Sequence, residues 1–448
     1  MGFDMKEDTI QIDIRKLIIP LILEQLLAVS VGMVDTLMVS TAGEVAVSGV
    51  ALVDNLNRLV IQVMAAFCTG GIVVGSQYFG RRDTKRAKVT CAQLEFIVAV
   101  FCLAVMVVFV IFTRSILSVV FGSIEDAVMD AACTYMVVTA VSYPFLGLYN
   151  VGAAIYRSIG NSRISMEISV IMNIVNVAFN AIFVFGLGMG VLGVGLATLI
   201  SRIVAGFIMT GKVLSADNPL QLRDLSLFMP QGQYIKNILR IGIPSGIENG
   251  MFQIGKLVVV SIVATFGTQA IAANSIGYQI MDFPNIPGQS VGLALVTIVG
   301  QCMGAGNVAE ARRYTVKMMK LAYLSDWICK ITLAICVPWV VGWFSLTEGT
   351  AALAVFLLRC FCLASLPAWP MSFVMPNALR AAGDVKYTMT VSIASMWICR
   401  ICCSYLLGVV MNMGILGVWC GMFVDWYARS ICYLARYLSG KWSYKKVV

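Results

Sequence analysis

The stretch Ile19-Pro20-Leu21-Ile22-Leu23-Glu24 is answered by Ile243-Pro244-Ser245-Gly246-Ile247-Glu248, 224 residues later in a chain of 448. The same spacing carries Gly43 and Ala46 onto Gly267 and Ala270. It carries Gln77, Gly80 and Ala87 onto Gln301, Gly304 and Ala311, and Gly190 and Gly193 onto Gly414 and Gly417. With one residue of slip, Arg157, Gly160, Arg163 and Met166 match Arg380, Gly383, Lys386 and Met389. Chance similarity does not hold one register along a whole chain. The protein is a duplicated half, and function is to be sought where the halves differ.

Each half is built for lipid. Hydrophobic residues make up 59% of the chain and charged residues 12%, about half the charge of a soluble domain. A membrane helix needs about 20 mostly apolar residues. Six such spans are predicted near 17–40, 46–79, 89–113, 128–156, 164–187 and 191–214, and six more near 236–265, 270–303, 314–342, 351–379, 387–410 and 414–437. The fold class is therefore an all-α integral membrane protein of twelve transmembrane helices in two six-helix lobes. The expected division is an N-lobe over 1–214, a polar linker over 215–235 and a C-lobe over 236–448. Six is even, so both halves enter the membrane from the same side and the repeat is parallel.

Most of the 32 Lys and Arg residues fall on the termini and on loops of one side, among them Arg81, Arg82, Lys85, Arg86, Lys88, Arg312, Arg313, Lys317, Lys441 and Lys445. The opposite loops hold Arg114. By the positive-inside rule both termini are cytosolic. That rule accounts for the net charge of +9, which is then no sign of nucleic-acid binding. Residues 1–16 are polar and lack a cleavage pattern, so no signal peptide is expected. Short loops and a cytosolic start suit a bacterial inner membrane. The chain has no histidine, so proton coupling must use carboxylates. Cys399 and Cys402 have CxxC spacing but lie mid-span, where small buried core residues are expected rather than a redox or metal site. No nucleotide-binding loop is present and no enzymatic function is expected. Transport must draw on an ion gradient, on the substrate's own gradient or on a partner.

Four oxygen-bearing residues of the first half reach a similar depth. Asp35 lies 15 residues after Pro20, about 22 Å along a helix. Asn176 and Asn180 are one turn apart and share a face. Thr198 enters from the other side of the membrane to about the same level. Their counterparts in the second half are Val259, Cys399, Cys403 and Met422. A carboxylate with amide and hydroxyl oxygens suits a hard monovalent cation, or a carboxyl group that exchanges a proton. A hydrogen-bonded packing network is the alternative use.

The second half carries Glu248, Lys256, Asp282, Arg400 and Asp425 inside its spans. Depth counting allows these charges to meet, as a substrate site or a static network, with Arg400 and Asp425 the expected pair. Asp326 and Lys330, four residues apart, are expected to neutralise each other. Arg58 aligns with Asp282, which offers a gate between lobes; a local pair with Asp54 is the alternative.

Several segments carry a resemblance: Pro20 through Asp35-Thr36, Gly75-Ser-Gln-Tyr-Phe-Gly80, Arg157-Ser-Ile-Gly160-Asn-Ser-Arg163, Asn173-Ile-Val-Asn176-Val-Ala-Phe-Asn180 and Gly190-Val-Leu-Gly193. Gly242-Ile-Pro244, Gly300-Gln-Cys-Met-Gly304 and Arg380-Ala-Ala-Gly383 extend it. In order and spacing they resemble the MATE (multidrug and toxic compound extrusion) family, within a superfamily that includes lipid-oligosaccharide flippases. The resemblance implies two lobes around a central cleft, alternating access, and export of organic compounds against Na⁺ or H⁺. It places the ion site on Asp35, Asn176, Asn180 and Thr198. The expected partners are small organic substrates, cationic and amphipathic, and the bilayer; the expected state is a monomer without cofactors. A flippase for a lipid-linked saccharide is the alternative within the same superfamily.

Overall fold

A computed structural model describes residues 13–447 apart from 42, 123, 217, 221, 345 and 446. The amino-terminal segment 1–12, read above as polar and cytosolic, lies outside the described residues. The first six long helices are α1 (Ile14–Ser40), α2 (Glu44–Gly80), α3 (Thr84–Ile111), α4 (Asp126–Ser158), α5 (Arg163–Gly186) and α6 (Gly190–Leu214). The second six are α7 (Gly232–Ala264), α8 (Thr268–Gly304), α9 (Val308–Gly342), α10 (Glu348–Ala381), α11 (Val385–Val410) and α12 (Gly414–Leu438). Ten of them are long and apolar enough to cross a membrane. The other two are α1, of 27 residues, and α12, of 25, which turns Asp425 and Arg429 into its lobe.

Duplication is visible in the backbone. Both bounds of α2 and α8, and of α6 and α12, differ by the repeat spacing. Gly43 and Gly267 open α2 and α8 at φ 97° and 89°, a region only glycine enters at little cost. The next turn is capped in both halves: Asp83 accepts from the Arg86 backbone N–H at 3.0 Å, and its repeat mate Asn307 from that of Glu310 at 2.9 Å.

An ion pair is duplicated too. Arg157 donates to Glu24 at 2.5 Å and Arg380 to Glu248 at 2.6 Å. Ser165 and Tyr149 also donate to Glu24, and Ser392 to Glu248. Each pair ties the first helix of a lobe to the end of its fourth, and both members are largely buried. Intramembrane charges persist when satisfied in this way.

The linker is short of free chain. Gln93 on α3 donates to the carbonyls of Leu227 and Met229, both at 2.8 Å, and accepts from the Gln231 backbone at 2.9 Å. The seventh helix then starts at Gly232, a few residues before the boundary read from polarity.

Candidate functional site

In the N-lobe, Asn180 Nδ2 donates to Asp35 Oδ1 at 2.7 Å and to Asn176 Oδ1 at 3.1 Å. Both asparagines are buried, and among the described residues the Asn180 carbonyl oxygen has no partner. A buried acceptor without a partner is costly unless a ligand uses it. Directly after Asn180, α5 widens into a π-helical turn over Ala181–Gly186; such turns are rare and favour functional sites. Thr198 on α6 is buried nearby in sequence depth, but among the described residues its hydroxyl makes no hydrogen bond to the other three. Three of the four residues are thus joined directly, and Thr198 is not.

A second carboxylate belongs to this face of the lobe. Asp54 on α2 accepts from Asn57 at 3.1 Å and, at the longer distance of 3.5 Å, from the Tyr135 hydroxyl. Tyr143 donates to the Asn57 oxygen at 2.6 Å. Arg202, one turn beyond Thr198, donates to Ser142 at 2.7 Å and acts electrostatically on both Asp35 and Asp54. The sequence treated Asp54 only as a mate for Arg58. The repeat held the missed signal: Asp54 aligns with Tyr278, another acid without an acidic counterpart.

In the C-lobe the expected Arg400–Asp425 ion pair is present, at 3.8 Å, and Asp425 has a closer partner besides. The close partner of Asp425 is Arg429, one turn away on α12, with bonds of 3.0 and 2.5 Å. Ser395 donates to the same carboxylate. Arg400 also donates to the Tyr278 hydroxyl at 2.9 Å. Helical spacing explains the closer partner, because i,i+4 side chains meet without any cross-helix register. Glu248 is likewise held by Arg380 and Ser392 rather than by these cations. Asp326 and Lys330 do pair, at 2.9 Å and fully buried, with the ammonium over Phe361 and Trp369. Arg58 and Asp282 both occupy exposed positions on α2 and α8, but no ion pair joins them, nor Arg58 to Asp54, among the described residues. Lys256 sits over the Phe252 ring at 5.2 Å.

The lobes meet through α1 and α2 against α7 and α8. At the end bearing the loops 80–88 and 304–313 the contact is tight and reciprocal. Gln77 donates to the Ala381 carbonyl at 2.8 Å, and Gln301 to the Ser158 carbonyl at 2.9 Å. A Cβ on Gly80 would lie 2.0 Å from the Gln301 carbonyl oxygen, and one on Gly304 2.0 Å from that of Gln77. From Pro284 to Gly304, α8 is almost wholly buried, whereas its first half is repeatedly exposed. The lobes are therefore locked together at this end.

A duplicated twelve-helix bundle with polar clusters between its helices and a reciprocal contact between its lobes at one end fits a two-lobed membrane transporter. The family model MatE matches residues 20–182 and 244–406, one copy in each lobe, and the chain belongs to the MATE family. It is 26% identical to the uncharacterized transporter YisQ of Bacillus subtilis, over 95% of this chain and 94% of that protein. It is 25% identical to the probable multidrug resistance protein NorM of Thermotoga maritima, over 97% and 94%. The outward-facing conformation of a multidrug resistance MATE transporter matches with a TM-score of 0.87 at 20% identity, over 95% and 94%. A MOP superfamily transporter from Pyrococcus furiosus, whose binding pocket is described as of reverse polarity, matches with a TM-score of 0.89 at 20% identity, over 96% of each chain.

Proposed function

We propose that this protein is a cation-coupled antiporter that exports amphipathic organic compounds by alternating access, with Na⁺ or H⁺ as the coupling ion. The observation that carries this reading is the Asp35–Asn180–Asn176 cluster, present in one repeat and replaced by Val259, Cys403 and Cys399 in the other. Duplication preserves what the fold needs in both halves, as with the Glu24–Arg157 and Glu248–Arg380 pairs. A carboxylate retained in one half alone is better explained by a task that one half performs.

In this reading both termini are cytosolic, the membrane is a bacterial inner membrane and the protein works as a monomer. The closed end is then cytosolic and the conformation faces outward. Asp35 takes the ion from outside, with Asn180, Asn176 and Thr198 as the neighbouring oxygens. Ion binding favours one access state, because coupling requires different ion affinities in the two states. The lobes close the outer end as the Gln77 and Gln301 contacts part at the inner one. The acids Asp35 and Asp54 on the N-lobe face favour a cationic group on the substrate.

The test is efflux of a fluorescent organic cation from proteoliposomes under separate Na⁺ and pH gradients. Efflux driven by one gradient, and lost in Asp35→Asn, supports the reading and names the ion. Full gradient-driven efflux by Asp35→Asn would remove Asp35 from coupling. Absence of efflux under either gradient would turn attention to the flippase reading.

A further inference from the structure

The C-lobe holds more positive charge than its acids can balance. Lys256 Nζ, Arg429 Cζ and Arg400 Cζ lie 5.2, 5.2 and 5.7 Å from the centre of one ring, Phe252. They come from α7, α12 and α11 and converge on a single point. Among the described residues Asp425 is the one carboxylate ion-paired within this group: both of its oxygens are engaged by Arg429, and Arg400 lies 3.8 Å from one of them. Lys256 makes no hydrogen bond or ion pair with any described residue. Arg400 is 2% exposed, and its Nε is buried without a partner. Asp282 and Arg58, on α8 and α2, both act electrostatically on Lys256. Within the C-lobe three cations, Lys256, Arg400 and Arg429, face two carboxylates, Asp282 and Asp425. Glu248 also acts on Arg429, but its own charge is matched by Arg380.

Unpaired charge inside a membrane is costly and marks a functional position. Stacking on a phenyl ring returns only part of the lost solvation. The π-helical turn Ser395–Cys402, which carries Arg400, repeats in the C-lobe the backbone device found beside Asn180. Lys256 is partly exposed, so the cluster is not sealed in the lobe.

We propose that Lys256 and Arg400, with Phe252 between them, form a subsite for an anionic group, a carboxylate or phosphate, on the transported amphiphile. Arg429 belongs to the frame, because both Asp425 oxygens accept from it, whereas Arg400 stands 3.8 Å from that carboxylate. An arginine with a vacant Nε beside a lysine suits an acceptor with at least two oxygens. This inference rests on the antiporter reading for the word transported, and it changes the substrate class from a simple cation to a zwitterion. The cationic end meets Asp35 and Asp54 on one lobe, and the acidic end meets Lys256 and Arg400 on the other.

The experiment is equilibrium binding of two probes to the full-length protein in nanodiscs, followed by fluorescence polarisation. One probe is a xanthylium dye with a free carboxylate; the other is its methyl ester, which keeps the cation and loses the acid. The carboxylate dye should bind about tenfold more tightly than the ester, the worth of one charge-assisted contact. Lys256→Gln, at a partly exposed position, should remove that advantage while leaving ester binding unchanged. Arg400→Gln should do the same if it folds. Equal binding of the two dyes, tighter ester binding, or no binding of the carboxylate dye would overturn the proposal, as would an advantage that survives Lys256→Gln. Discs of phosphatidylcholine and of phosphatidylglycerol separate two sources of the anion. An advantage present in both discs points to a substrate group; one lost only in phosphatidylglycerol points to a lipid headgroup as occupant. Gradient-driven efflux of the same dyes tests the antiporter reading separately, since binding preference can hold where coupling fails.

Discussion

The two lobes share one backbone plan and carry opposite chemistry at the same place. In the N-lobe a carboxylate on α1 meets two amides on α5. In the C-lobe the corresponding helices, α7 and α11, bring an ammonium and a guanidinium to a phenyl ring. Lys256 aligns with Gly32, and Arg400 with Val177, so neither cation has a charged counterpart. By contrast the Glu–Arg pairs and the Gln–Gly contacts are the same in both lobes. What is repeated holds the lobes and their interface; what is not repeated is a carboxylate–amide cluster in one lobe and a cation–phenyl cluster in the other.

The largest effect expected from disturbing this contrast is at Asp35. In the double variant Asp35→Asn with Val259→Asp, the carboxylate moves to the other lobe, where Cys399 and Cys403 replace the asparagines. Gradient-driven efflux in proteoliposomes should stay at the leak level, because the amide partners do not move with it. Restored coupling would mean that the site is not specific to the N-lobe.

Next comes the frame of the C-lobe. Asp425→Asn leaves Arg429 buried without its counter-charge and should destabilise the protein by about 3–5 kcal/mol, read as a loss of thermal stability in detergent. Lys330→Met alone should cost a similar amount by stranding Asp326, while Asp326→Leu with Lys330→Met should be nearly neutral, because removing both partners leaves no buried charge.

A smaller effect is expected at the reciprocal closure. Gln77→Ala and Gln301→Ala each remove one hydrogen bond across the lobes, worth about 1 kcal/mol, or about a fivefold shift in the access equilibrium. The two variants should act alike and in the same direction. Spin-label distances across the closed end would check this, and opposite effects of the two would break the symmetry argument. Gly304→Val goes further than either, since its Cβ would meet the Gln77 carbonyl and hold that end apart.

Much of this was legible in the sequence because duplication is a linear signal. The offset located twelve helices, and it singled out Asp35, Asn176 and Asn180 as residues with no polar mate. Helix geometry brought the two asparagines to one face, and the structure adds the Asp35 contact. Thr198 shares their depth, yet depth does not set azimuth, and its hydroxyl does not reach them. The setting of Asp54 was hidden because Tyr135 reaches it, and Tyr143 reaches its neighbour Asn57, across helices. Depth and adjacent helices give the Arg400–Asp425 pair, which is present at 3.8 Å, but not the nearer partner Arg429 on the same helix. Gln77 and Gln301 were visible as repeat marks, but their hydrogen bonds to the opposite lobe needed the tertiary structure.

The central claim, that Asp35 couples ion and substrate, is tested most directly by reversing the flow. A substrate gradient imposed on proteoliposomes should drive counterflow of the coupling ion, followed with Na⁺- and pH-sensitive dyes. The account predicts counterflow of one ion in the parent protein and none in Asp35→Asn, with that variant still binding substrate. Equal counterflow in both proteins would contradict it.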